Sequence, residues 1–165
     1  MKNILSVLVE NRAGVLARTA GLFARRGYNI ESLAVGETPD ATASRMTIVV
    51  DGDESVIGQV EKQLNKQIDV IKVRKLDADD ATRRELALIK VGAGADNRRA
   101  VADIASIMKA DIADLTSTAA TISIADTPER VKQLIELLAP YGIVEMARTG
   151  MVALQKGGSG IGVES

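Results

Sequence analysis

The feature that most constrains this chain is a six-residue run, Ile4 to Val9, apolar at every position but Ser6. Drawn out as a strand, it places Leu5, Val7 and Val9 on one face and Ile4 and Leu8 on the other. A strand that is apolar on both faces needs two covers. Just beyond it the spacing changes: Val15, Leu16, Thr19, Leu22 and Phe23 recur as on one side of a helix. The chain must therefore turn from strand to helix within the short loop Asn11 to Gly14. Helices of the same unit cover only one face of a sheet. The other face is either partly exposed, which is common, or covered by a second domain or a second protomer, the favoured reading because a unit of about 75 residues buries little apolar surface alone.

The remaining chain extends this pattern. Gly27 reads as the stop of the first helix, with Arg25 and Arg26 in its last turn, where cations are favoured. Ile30 to Val35 and Arg45 to Val50 read as strands, the second with Met46, Ile48 and Val50 on one face. Asp53 is placed to cap a helix with the stripe Val56, Ile57, Val60 and Leu64. Ile68 to Leu76 reads as a fourth strand. The order is βαββαβ, the ferredoxin-like pattern of two helices on one face of an antiparallel sheet.

Residues 77–82 are polar and read as a linker, after which the pattern returns. Glu85 to Val91 is a strand, Asp96 a candidate helix cap, and Thr127-Pro128 a helix start. Ile143 to Leu154 reads as a final strand bent near Gly150. The expected class is α+β, with two ferredoxin-like domains at 1–76 and 83–155. The Gly/Ser-rich stretch 156–165 is expected to be a disordered tail.

The chemistry open to the chain is narrow. It has no cysteine and no histidine, which excludes disulfides, thiolates and imidazole catalysis. A net charge of −1 and 2% aromatics disfavour nucleic-acid binding, which needs a basic face and stacking rings. No apolar run is long enough to span a bilayer, and the first strand begins almost at once. A cytoplasmic location is expected. Gly92-Ala93-Gly94 lacks the remaining residues of a phosphate loop. Asp51, Asp53 and Glu54 suit the start of a helix better than a metal. Asp77, Asp79 and Asp80 lack the glycine and distal glutamate of a calcium loop. Arg98-Arg99 reads as an exposed helix face or a partner contact.

The first βα loop is the candidate binding element. A helix start carries unpaired N–H groups and partial positive charge, and so receives a carboxylate without a basic side chain. Gly14 permits close approach to the backbone, and the Asn11 amide both donates and accepts. A free amino acid offers the matching anion and ammonium. The same loop also fits an ordinary βα turn with no ligand.

Longer motifs carry a resemblance. These are Ile4-Leu5-Ser6-Val7-Leu8-Val9-Glu10-Asn11, Gly14-Val15-Leu16, Gly21-Leu22-Phe23 and Arg26-Gly27-Tyr28-Asn29-Ile30-Glu31-Ser32-Leu33. Ser44-Arg45-Met46-Thr47-Ile48, Glu61-Lys62-Gln63-Leu64, Arg84-Glu85-Leu86 and Glu145-Met146-Ala147-Arg148-Thr149-Gly150 continue it. Together they resemble the regulatory small subunits of acetolactate synthase (acetohydroxyacid synthase), over residues 1 to about 154. The resemblance implies that the first domain is an ACT domain. It implies a non-catalytic subunit that activates a large catalytic subunit carrying thiamine diphosphate, magnesium and FAD, and confers feedback inhibition by valine. No cofactor and no metal is expected on this chain itself. A homodimer through the ACT domains is implied, with effector at the joint. One protomer would supply Asn11, Ala13, Gly14, Val15 and Leu16, and the other Asn29 and Ile30. Support of dimerisation and contact with the large subunit would fall to the second domain. The alternative is a free-standing ACT-type amino-acid sensor that controls transcription or another enzyme.

Overall fold

The computed structural model describes residues 1–162. They form two compact units, Met1–Thr82 joined by the segment after Gly150, and Arg83–Gly150.

In the first unit, β1 (Lys2–Glu10) leads into α1 (Val15–Arg26), β2 (Ile30–Glu37), β3 (Ala43–Asp51), α2 (Glu54–Asn65) and β4 (Val70–Leu76). The sheet order is β2-β3-β1-β4, and each neighbouring pair is antiparallel. Leu5, Val7 and Val9 meet Met46, Ile48 and Val50 on one face, beneath Val15, Leu22, Phe23, Ile57, Val60 and Leu64 of the helices. Gly27 ends α1 in the left-handed region at φ 70°, and Asp53 caps α2 by accepting the Val56 N–H at 2.9 Å. The fourth strand begins at Val70, so Ile68 lies outside it and is exposed.

The second face of β1 is covered from within this unit. Met151 and Ala153 pack with Ile4, Leu76 and Ala81, and Ile161 packs on Leu8 and Ala43. Arg45 fastens this segment, donating through Nη2 to the Ile161 carbonyl oxygen at 2.8 Å, while Arg74 donates to Gln155 Oε1 at 2.9 Å. This packing sets residues 151–155, expected with the second domain, in the first compact unit. It also corrects the expected disorder over 156–162, since Ile161 is buried and held by a hydrogen bond. The physical reason is the two-faced strand, whose apolar residues hold the returning segment. The rest of the expected tail, 163–165, lies outside the described residues.

In the second unit, β5 (Ala81–Gly92) leads into α3 (Arg98–Ile107), β6 (Asp111–Leu115), β7 (Ala119–Asp126), α4 (Pro128–Leu138) and β8 (Ile143–Arg148). The order β6-β7-β5-β8 reproduces that of the first unit. Its core is aliphatic, with Ile89, Val91, Ile122 and Ile124 beneath Val101, Ala105, Val131 and Leu134. β5 starts at buried Ala81, which shortens the expected linker. Thr127 caps α4 with Pro128 in its first turn. Asp96 does not cap α3: that position is Asn97, whose Nδ2 donates to the Gly92 carbonyl at 3.2 Å. The expected bend falls at Gly150, φ 77°, between β8 and a short β9 (Val152–Gln155).

Candidate functional site

β1 delivers the loop Asn11–Gly14 to one end of the first sheet. The Asn11 N–H donates to the Thr42 carbonyl at 2.8 Å, which fixes where the chain leaves the strand. The Asn11 side chain donates through Nδ2 to Glu37 Oε1 and to the Ala41 carbonyl, both at 3.0 Å. Both of those partners accept only, which settles the orientation of the amide. The two N–H groups of Asn11 therefore brace the β2–β3 connection. Its Oδ1 remains an acceptor suited to an ammonium group, a narrower role than the donor-and-acceptor one expected from the sequence.

Gly14 occupies the N-cap position of α1 at φ 83°, in the left-handed region that glycine adopts without penalty. No side chain caps the helix and its first turn holds no acid, whereas α2 and α4 have both. The Val15 N–H donates to the Arg12 carbonyl at 3.4 Å, and the N–H groups that follow carry the partial positive charge of a helix start. Ala13 and Gly14 are exposed, Leu16 is half exposed, and Val15 is buried in the core. Val15 therefore anchors the loop from below, while Ala13, Gly14 and Leu16 form its accessible surface.

Asp69 and Arg18 were not picked out in the sequence. Asp69 enters β4 and is only 4% exposed. Its Oδ1 accepts from Arg12 Nη2 at 2.9 Å and its Oδ2 from Arg18 Nε at 2.7 Å, while Arg12 also pairs with Glu10. The Arg18 hydrogen bond, followed by the charges of both arginines, holds the Asp69 carboxyl below the usual aspartate range against the opposing effect of burial. The one signal in the sequence was a carboxylate between the apolar residues Ile68 and Val70.

Asn29 and Ile30 lie elsewhere. Ile30 pairs with Val50, and Val50 with Asn3, at the end of the sheet where β1 begins. The loop leaves from Glu10, opposite Ala43. Seven residues of strand separate these ends, roughly 23 Å. One chain thus brings Asn11, Ala13, Gly14, Val15 and Leu16 together and leaves Asn29 and Ile30 apart from them. β2 forms the edge of the sheet, with Val35 exposed on it.

Comparison with known proteins bears on both units. Residues 5–72 match the family model described as an AHAS small subunit-like ACT domain, and residues 84–157 match the model for the small subunit of acetolactate synthase. The chain is 48% identical to the acetolactate synthase small subunit of Mycolicibacterium smegmatis, covering 96% of this chain and 93% of the relative. It is likewise 48% identical to a probable small subunit of Archaeoglobus fulgidus, covering 95% of this chain and 98% of that one. A crystal structure of the small subunit from Thermotoga maritima superposes with a TM-score of 0.89 at 37% identity, covering 96% of this chain and 99% of that one. The first unit is accordingly an ACT domain, and the chain belongs to the acetolactate synthase small-subunit family.

Proposed function

We propose that this chain activates a catalytic acetolactate synthase subunit and makes it sensitive to valine. It makes no acetolactate itself. Thiamine diphosphate, magnesium and FAD sit on the partner, in the cytoplasm. The observation that carries the reading is the layout of the first sheet. Its open helix start offers N–H groups for a carboxylate, and Asn11 Oδ1 offers an acceptor for an ammonium. The Asn11 side chain meets Glu37, so the loop stands beside the end of β2. Antiparallel pairing of two β2 edges sets the start of one β2 beside the end of the other. A homodimer of that form brings the partner's Asn29 and Ile30 to the Asn11 loop and closes the site around an aliphatic amino acid.

The test is reconstitution. The purified chain is added to its catalytic subunit, and acetolactate formation is followed with and without valine. The expected results are no turnover by the chain alone, stimulation on mixing, and inhibition of the mixture by valine. Turnover by the isolated chain, or an unchanged rate when both subunits are bound, overturns the reading.

A further inference from the structure

The loop that the proposed site uses is held by a charged cluster reaching across the first unit. Asp69 is buried, yet its two guanidinium partners are not: the side chains of Arg12 and Arg18 are 60% and 54% exposed. Arg18 spends its Nε on Asp69. Its outer end lies over the loop glycine, where a Cβ built on Gly14 would stand 2.7 Å from Arg18 Nη1. A guanidinium offers five N–H donors in a fixed fork, so anchoring one edge leaves the other edge free to pair with an anion. The cation is thus parked beside uncapped helix amides, in a first turn that lacks any acid.

We infer that Asp69 is a positioning residue of the effector loop: it holds Arg18 over Gly14, and Arg18 takes the effector's carboxylate together with the α1 amides. This rests on the proposed valine site and adds a charged receptor to it. Asp69 itself touches no effector. Arg12, on the other carboxylate oxygen, ties the loop to the entry of β4 and keeps Asp69 from swinging away.

The experiment uses the full-length chain and two probes, valine and valinamide. Valinamide keeps the ammonium and the isopropyl group but lacks the anion. Binding of each is measured by calorimetry at neutral pH, with circular dichroism as the check on folding. The wild-type chain should prefer valine. Arg18→Gln should weaken valine binding by about tenfold or more, as expected for loss of a charge-assisted hydrogen bond, and leave valinamide binding unchanged. Arg18→Lys should restore part of the preference. Asp69→Asn should lower the valine-to-valinamide ratio in the same direction but by less, because Arg18 is then present and unheld. A purely structural role for the cluster would weaken both probes equally, and that result overturns the inference. Should Asp69→Asn fail to fold, the half-exposed Arg18→Gln decides alone, and an unchanged ratio in it overturns the inference. Gly14→Asp separates the two levels. If it abolishes valine binding while Arg18→Gln leaves the ratio intact, the site stands and the role of Arg18 falls. If the wild-type chain binds no valine, both fall.

Discussion

The two units place a βα loop at the same point of the same topology and use it in opposite ways. In the first unit Gly14 is exposed, and the atoms nearest a Cβ built on it are those at the flexible end of Arg18. In the second, the loop after β5 is closed on itself. A Cβ at Gly92 would stand 2.9 Å from the Tyr141 backbone oxygen, Asn97 donates to the Gly92 carbonyl, and Arg98 donates to the carbonyls of Ala93 and Ser117. The central strands differ too. β1 is buried along both faces, whereas β5 alternates, leaving Leu86 and Leu88 about two-fifths exposed. One frame thus yields a unit with a finished core and an open loop, and another with a closed loop and an open sheet face. Topology alone assigns neither property. Each depends on what the flanking side chains reach.

The largest expected effect tests the two faces. Leu8→Ala removes a buried side chain packed on Ala43 and Ile161. It should destabilise the first unit by about 2–4 kcal/mol, whereas Leu88→Ala, at an exposed position, should cost about 1 kcal/mol or less. Denaturant unfolding of the two variants measures the difference, and equal losses would break the comparison.

The two glycines come next. Gly92→Ala forces a Cβ against backbone and should cost about 2 kcal/mol of stability, with valine inhibition of the reconstituted enzyme unchanged. Gly14→Asp should do the reverse. The left-handed φ costs an aspartate about 1 kcal/mol, partly offset by placing an acid at a helix start. Its charge close to the effector's anion should weaken valine binding by about 1–3 kcal/mol, one to two powers of ten. The variant enzyme should stay active and lose its feedback sensitivity. Unchanged valine inhibition in folded Gly14→Asp would remove the effector from this loop.

A smaller effect contrasts the capped helix with the uncapped one. Asp53→Ala deletes the side chain that accepts the Val56 N–H and should cost about 1 kcal/mol by thermal unfolding, with no change in valine response.

The smallest effect is a pH dependence at Asp69. Its carboxyl is held below the usual range in the folded chain, first by the Arg18 hydrogen bond. The stability it contributes is therefore present above the unfolded aspartate value, about 3.9, and is lost as pH falls through the lower folded value. The stability gap between wild type and Asp69→Asn should be constant near neutrality and narrow below about pH 4. A gap that widens on acidification would show that the arginines do not hold the ionised form.

What the sequence determined by itself was local. Left-handed Gly27 and Gly150, the Asp53 and Thr127 caps, the shared core face of Met46, Ile48 and Val50 on β3 and the two-faced apolar run of β1 follow from backbone sterics and side-chain spacing within a few residues. The order of elements, and hence two ferredoxin-like units, followed from those signals, and longer motifs identified the family. The loop from Asn11 to Leu16 was legible as a helix start, and the need for a second cover on β1 was legible too. Only the tertiary structure decided what meets that need and what sits around the loop. Ile161 reaches Leu8, and Asp69 meets Arg12 and Arg18, across separations of more than fifty residues in both cases. No local periodicity encodes such pairings. They form because a buried carboxylate needs its cations and an apolar strand face needs a cover, and whichever residues the fold brings within reach supply them.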